Sequence, residues 1–263
     1  MIESFALRSG SSGNCIYVGK DGRGIIVDAG INGKNFAAAL SEHGTSPEQI
    51  DGIVITHEHI DHISGLGVIL RRHKIPLYIS EDTLAGALPR IGAFDPDLIV
   101  PIRAGVPFEI GEFSLTGVPV PHDAADPMAY KIDAGQTAVS VCTDIGVLDR
   151  SVLDALSGSR LVYLEANYDE FMLANGPYPQ VLKTRIRGRY GHLSNEACAE
   201  ALIEFVRRGT TEIVLAHLSL DNNLPQIALR TVREFLALIG AREADDYRLS
   251  AAQRYVCSPC CRI

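Results

Sequence analysis

Residues 56–62, Thr-His-Glu-His-Ile-Asp-His, place three histidines and two carboxylates within seven positions, directly after the apolar run 52–55. Imidazole is a borderline ligand and carboxylate a hard one, a combination that suits zinc, manganese or iron. On a loop capping a strand, His57 and His59 can reach one metal while Asp61 and His62 reach a neighbour. That is the layout of a two-metal site. Chance clustering of the chain's eight histidines explains the run poorly, because the cluster interrupts an apolar strand-to-helix junction.

Other polar residues end or interrupt apolar segments: Asp28 in IIVDAG, His122 in VPVPHDAAD, Asp144 in VCTDIG and His217 in IVLAHLS. Taken one at a time they are ambiguous. His122 also reads as a solvated turn residue, Asp144 as a helix cap, and His217 as a core histidine whose ring has found a partner. A different chemistry stands at 182–197, LKTRIRGRYGHLSNEA, where Lys183, Arg185, Arg187 and Arg189 precede His192 and the helix-capping Ser194. Cations beside a helix N-terminus can hold phosphate, and this reading is preferred to a solvated basic face because the rest of the chain is acidic.

The elements that must carry these groups are legible in outline. Short Ile- and Val-rich runs broken by Gly and Asp (FALRS, NCIYVG, GIIVDAG, GIVITH) are strand and turn signals. The stretch 34–43 has helical apolar spacing, Ser46 and Pro47 open another helix, and a helix is expected from Ile63 through Leu70. PLYIS reads as a strand, followed by a helix closing near Pro89. Residues 97–143 have the texture of a β-meander. Helices at 149–157, 194–208 and 223–239 then alternate with the strands RLVYLEA, TEIVLAHLS and YRLSAAQRYV, which predicts helices covering the outer faces of sheets. The tail CSPCC reads as a frayed terminus with exposed thiols.

Composition bounds the answer. The 263 residues carry 32 Asp+Glu against 24 Lys+Arg, a net charge of -8, with 46% hydrophobic and 21% charged residues. This is globular composition, and the negative balance argues against binding nucleic acid through broad electrostatics alone. No run is long and apolar enough to cross a bilayer. The start MIESFALRSG carries charges where a secretory leader would be apolar, and six cysteines lack framework spacing. The expectation is a cytoplasmic protein with no membrane partner, built as one domain over 1–263.

The motif THEHIDH resembles the HxHxDH signature of the metallo-β-lactamase fold hydrolases, and Asp28, His122, Asp144 and His217 match that superfamily's other landmarks in order. The resemblance covers nearly the whole chain. It implies an α/β (α+β) fold of four layers, αββα, with two mixed β-sheets face to face and helices outside. It also implies that His57, His59 and His122 hold one divalent ion, Asp61, His62 and His217 a second, and that Asp144 bridges them while Asp28 supports the loop. GHLSN resembles the histidine motif of the tRNA 3′-processing nucleases, ribonuclease Z among them, which implies His192 as general acid and Glu165, in LEAN, as its orienter. Asp61, His192 and Glu165 are then the catalytic set.

More narrowly, SGSSGNC at 9–15, EAN, YP, LKxRI, GHLSN and HLSxxNN resemble the WalJ (YycJ) group, considered DNA exonucleases. That likeness implies a dinuclear zinc or manganese phosphodiesterase in which a hydroxide shared by the metals attacks phosphorus, acting on DNA ends or single-stranded nucleic acid. The Gly- and Ser-rich loop would offer Ser11, Ser12 and Asn14 to phosphate beside Lys183, Arg185, Arg187 and Arg189, and Tyr130, Tyr168, Tyr178 or Tyr190 would stack a base. One position departs: Tyr168 stands where that group usually has histidine. Two other readings remain open, a hydrolase of a small phosphodiester or other ester, and a noncatalytic metal-binding regulatory module.

Overall fold

Alternation along the strands decides the layering. In Leu161–Glu165, Leu161 and Tyr163 face one apolar core while Val162 and Leu164 face another, and in Glu212–Ala216 the same split separates Val214 and Ala216 from Ile213 and Leu215. Successive side chains of a strand point to opposite faces, so a run buried on both faces must lie between two layers. The computed structural model describes residues 1–263, and two seven-stranded sheets realise this arrangement.

The first sheet contains β1 (Ile2–Arg8), β2 (Cys15–Lys20), β3 (Arg23–Val27), β4 (Ile50–Val54), β5 (Leu77–Ile79) and β6 (Ile99–Pro101). The second contains β7 (Phe108–Ile110), β8 (Phe113–Pro119), β9 (Met128–Asp133), β10 (Ala138–Cys142), β11 (Leu161–Glu165), β12 (Glu212–Ala216) and β13 (Arg248–Ala251). A last strand, β14 (Cys261–Arg262), pairs with β1, so the orders are β14-β1-β2-β3-β4-β5-β6 and β13-β12-β11-β10-β9-β8-β7. Each sheet is mixed: β1, β2 and β3 run antiparallel and β3 to β6 parallel, while β7 to β10 form an antiparallel meander and β10 to β13 run parallel; the meander expected over 97–143 thus starts only at Phe108, because β6 pairs with β5 in the first sheet.

The inner core packs Ile16, Val18 and Ile25 of one sheet against Ile132, Val141 and Tyr163 of the other. Polar contacts cross it as well: Ser4 Oγ lies 2.9 Å from the Tyr163 hydroxyl, and the Tyr130 hydroxyl donates to the Ile55 carbonyl at 2.8 Å. The outer face of the first sheet is covered by α1 (Gly33–Glu42), α3 (Leu66–His73) and α4 (Glu81–Ile91), through Phe36, Leu40, Ile69 and Ala87. The short α2 (Ile60–Ile63) precedes α3. On the second sheet lie α5 (Arg150–Leu156), α8 (Asn195–Arg207) and α9 (Pro225–Leu238), through Leu156, Leu202, Phe205 and Val232. The layers are αββα, as expected. Between β11 and α8 come α6 (Glu170–Asn175) and α7 (Gln180–Arg187), with a small core of their own made by Tyr168, Leu173 and Ile186.

Several local expectations are corrected. The helix expected from Ile63 is broken at Ser64 and Gly65, where a Cβ on Gly65 would lie 1.7 Å from the Ile31 carbonyl oxygen. Ser46 and Pro47 open only a single 3-10 turn, and α4 runs past Pro89 to Ile91. The final strand is shorter than the run 247–256. The CSPCC tail is not frayed: Ser258 N donates to the Ala6 carbonyl and β14 pairs with β1, leaving the three tail thiols partly buried. All six cysteines are free. No helix is long and apolar enough to cross a membrane.

Candidate metal centre

Three of the site residues sit where strands end in left-handed backbone. Asp28 (φ 63°) follows β3, Asp144 (φ 56°) comes two residues after β10, and His217 (φ 53°) follows β12. Non-glycine residues pay about 1–3 kcal/mol for that conformation, which clusters at functional sites. The kink turns each side chain off its strand, toward the loop 56–62 at the end of β4.

There the donor atoms converge. His57, His59 and His122 form one group with ligand atoms within 4.8 Å of one another, Asp61, His62 and His217 a second, and His57, His62 and Asp144 a third that joins them. Each ring nitrogen pointing away from this centre is held from behind. Thr56 Oγ1 lies 3.0 Å from His57 Nδ1, the Asp123 carbonyl 3.2 Å from His59 Nε2, Asp28 Oδ2 2.7 Å from His62 Nδ1, the Gly191 carbonyl 3.1 Å from His122 Nδ1, and Glu165 Oε1 2.7 Å from His217 Nδ1. Such outer contacts fix ring orientation and tautomer in metal sites. Two buried atoms of the candidate donors are left without a hydrogen bond: His57 Nε2, and Asp144 Oδ2, which lies 3.0 Å from His62 Nε2 but out of alignment. Buried polar atoms are seldom left so; an ion between these donors satisfies both. The donor set, imidazole plus carboxylate, fits a divalent cation.

The electrostatics agree. Burial pushes His57 well below the ordinary histidine range, and it lowers His122 as well. Burial also opposes charge on His62 and His217, but Asp28, Asp144 and Asp61 outweigh it at His62, and Asp144, Asp61 and Glu165 raise His217 to about 10. Asp144 is fully buried, which favours its neutral form, yet His217, His62 and His57 together hold it well below the carboxylate range.

Glu165, fully buried at the end of β11, is a hub. Its Oε1 accepts from His217 and lies 2.9 Å from His192 Nδ1, while Oε2 accepts from Ile145 N and Leu193 N at 2.9 and 3.2 Å. No protein group bonds His192 Nε2, and the side chain is 20% exposed. Burial lowers the His192 pKa, but the charge and hydrogen bond of Glu165 raise it more, so the ring is held above its ordinary value.

The expected phosphate contacts are distributed differently. Lys183 is buried, with Nζ donating to the Ala174 carbonyl at 2.8 Å, so this ammonium clamps α6 rather than standing on an exposed basic face. Arg185, Arg187 and Arg189 are exposed, but each faces a carboxylate: Asp123 at 2.6 Å, Glu170 at 2.8 Å and Asp149 at 3.8 Å. Ser11 and Ser12 are exposed. Asn14 is buried, its Nδ2 3.0 Å from His62 Nε2 and 3.3 Å from Asp61 Oδ2. Tyr130 cannot stack a base, because it is fully buried and donates to the Ile55 carbonyl. Tyr168 is also buried, packed against Leu173 and Ile186, and its backbone pairs with Ser194. Tyr178 donates to Asp221, and Tyr190 is exposed.

Residues outside the expected set also build the site. Thr56 Oγ1 donates to Asp28 and lies 3.0 Å from His57 Nδ1, linking the two; Ser9 Oγ accepts from His217 N at 2.9 Å, and Asn167 Nδ2 donates to the His217 carbonyl at 2.9 Å. Asn195 and Asn223 exchange side-chain hydrogen bonds, and Asn223 also donates to the Ala166 carbonyl. Asn167 and Asn223 stand inside EAN and HLSxxNN, so their motifs were visible although their contacts were not.

Residues 23–217 match the Beta-lactamase superfamily domain. The chain is 36% identical over 230 residues to Exodeoxyribonuclease YycJ of Bacillus anthracis, covering 88% of this chain and 87% of that protein. It is 34% identical over 245 residues to Exodeoxyribonuclease WalJ of Streptococcus pneumoniae, covering 92% and 91%. In fold it resembles the metallo-beta-lactamase fold protein YhfI from Bacillus subtilis, with a TM-score of 0.71, 13% identity and 98% of each chain covered. The chain belongs to the metallo-β-lactamase superfamily and, within it, to the group that contains YycJ and WalJ. It is a metal-dependent hydrolase.

Proposed function

We propose that this protein is a DNA exonuclease that hydrolyses phosphodiesters at DNA ends or in single strands, using two divalent ions, zinc or manganese. The observation that carries the reading is the pair His192–Glu165, placed beside the histidine–carboxylate centre and open on its Nε2 side. His57, His59 and His122 would hold one ion, Asp61, His62 and His217 the other, with Asp144 between them. When bound, such ions supply a water of lowered pKa and neutralise charge developing on the phosphoryl oxygens.

The chain's own groups do the rest. Glu165 fixes the His192 tautomer with the proton on Nδ1 directed at the carboxylate, so Nε2 is the atom that meets the departing sugar oxygen. The charge of Glu165 favours the imidazolium, which has a proton to give to that oxygen. Asp28 accepts from Thr56 N at 2.8 Å and lies 2.7 Å from His62 Nδ1, which ties the loop 56–62 to the end of β3. The names of the two relatives support DNA as the substrate.

The test compares manganese- or zinc-loaded wild type and His192→Ala on end-labelled DNA and RNA, with bis(p-nitrophenyl) phosphate as a small diester. DNA cleavage that falls about 10²–10⁴-fold in the variant, the contribution expected of a positioned acid, at constant metal content supports the reading. Turnover of the small diester alone overturns the polymer substrate.

A further inference from the structure

Two cavities meet at Arg254. The first, about 350 Å³, is lined by Arg8, Ser12, Gly13, Asn32, Ser64 and Arg254 among others. The second, about 390 Å³, has an apolar wall that includes Leu220, Leu224, Pro225 and Val256. Arg254 and Tyr255 line both, and no carboxylate lines either. In a chain of net charge -8, with Arg185, Arg187 and Arg189 engaged by acids, a cavity carrying two guanidinium groups and no acid is suited to an anion.

The guanidinium of Arg254 is built in. Its Nη1 donates to Ser12 Oγ at 3.3 Å and its Nη2 to the Leu218 carbonyl. Gly10 lies against it: a Cβ there would come within 2.8 Å of Arg254 Cζ, at a backbone φ of +137° that side chains rarely adopt. Arg8 bonds only the Leu7 carbonyl and, at 3.9 Å, Cys257 Sγ. Both anchors of Arg254 adjoin the metal centre. Ser12 is two residues from Asn14, which touches Asp61 and His62, and Leu218 follows His217. Beyond the arginines, Leu220 and Tyr255 are 60% and 66% exposed, an apolar and aromatic surface on which a flat ring can lie.

We propose that Arg254 and Arg8 bind the phosphate adjoining the scissile one on a single-stranded DNA end, with the attached, unpaired base lying in the groove of Leu220, Leu224 and Tyr255. This rests on the exonuclease reading above. A base seated in an apolar groove has no pairing partner, so the subsite selects single strands, and a phosphate between two arginines sets how far the end is threaded past the metals.

The experiment measures anisotropy of a fluorescein-labelled single-stranded oligonucleotide on the metal-loaded full chain, in a His192→Ala background that keeps the DNA intact. Adding Arg254→Ala weakens affinity about tenfold, as for one charge-assisted pair, and lowers the slope of log affinity against log salt by about 1. Arg254→Lys restores the salt slope but not the full affinity. An abasic site at the nucleotide next to the cleaved end costs the parent about fivefold or more, and Tyr255→Ala, which alters only an exposed ring, brings the intact oligonucleotide to the abasic level. Unchanged affinity and slope in Arg254→Ala, with the parent binding DNA, overturns the subsite and leaves the exonuclease reading standing. Equal binding of abasic and intact DNA by the parent overturns the base groove. If the parent fails to bind and wild type fails to cleave DNA, the exonuclease reading falls and the subsite with it.

Discussion

His192 and His217 share one carboxylate oxygen: Glu165 Oε1 lies 2.9 Å from Nδ1 of the first and 2.7 Å from Nδ1 of the second. A residue on the metal centre and a residue facing the cleft are therefore oriented by the same buried atom. A change at Glu165 must act on both.

Glu165→Gln keeps the size and the hydrogen bonds from Ile145 N and Leu193 N within reach but removes the charge. Metal affinity should fall about 10–100-fold, the usual effect of losing an outer-shell carboxylate. At saturating metal, turnover should still be down about 10²-fold or more. Metal titration followed by kcat at saturation separates the two; full recovery with excess metal would remove the orienting role toward His192.

Asp28→Asn tolerates the left-handed backbone at φ 63° and leaves the His62 ring without its carboxylate at 2.7 Å. Metal affinity should fall about tenfold or more, and the melting temperature of the loaded protein should drop toward that of the stripped one, because stabilisation by a ligand follows its affinity. Calorimetry with and without chelator checks this, and an unchanged metal affinity contradicts it.

Without metal, His62 and His217 hold protons at neutral pH, since their carboxylate neighbours outweigh burial and raise His217 to about 10. Metal must displace those protons. Apparent affinity should therefore rise with pH, and titration calorimetry in two buffers of different ionisation enthalpy should show proton release. The raised pKa also has a sign for stability: its contribution is complete below the unfolded value of 6.5 and is lost as pH climbs through about 10. Chelated protein should lose stability over that window. Loaded protein, whose His217 carries no such proton, should not follow it, and identical pH profiles for the two would count against the assignment.

Gly30→Ala tests the packing under the metal loop. A Cβ at that position would sit 1.7 Å from the Asp61 carbonyl oxygen and 2.8 Å from Asn14 N, both backbone atoms. The loop must shift, at a cost of about 2–4 kcal/mol, which for a chain of this size lowers the melting temperature by about 4–16 °C. Bound metal, read by elemental analysis, should fall with it. A variant with wild-type stability would mean that the loop yields without cost.

The types and positions of the candidate metal donors are written in the sequence, because side-chain chemistry and a seven-residue spacing are local properties. His57, His59, Asp61 and His62 stand together in the chain whatever the rest of the fold does. The layers were legible for a related reason: double-sided apolar strands such as β11 and β12 have only one kind of place to go. Convergence was not local. Asp28, Asp144 and His217 reach loop 56–62 because β3, β10 and β12 end there and turn through left-handed residues, and His122 reaches it from the segment after β8. Tertiary structure alone also decided which cations are free. Lys183, Arg185, Arg187 and Arg189 read as one basic face, but folding puts a carbonyl on the first and carboxylates from other segments against the rest. Arg8 and Arg254, 246 positions apart in the sequence, line one cavity without an acid. Charge is written in the sequence residue by residue, but pairing depends on contacts between distant segments, and those exist only in the folded chain.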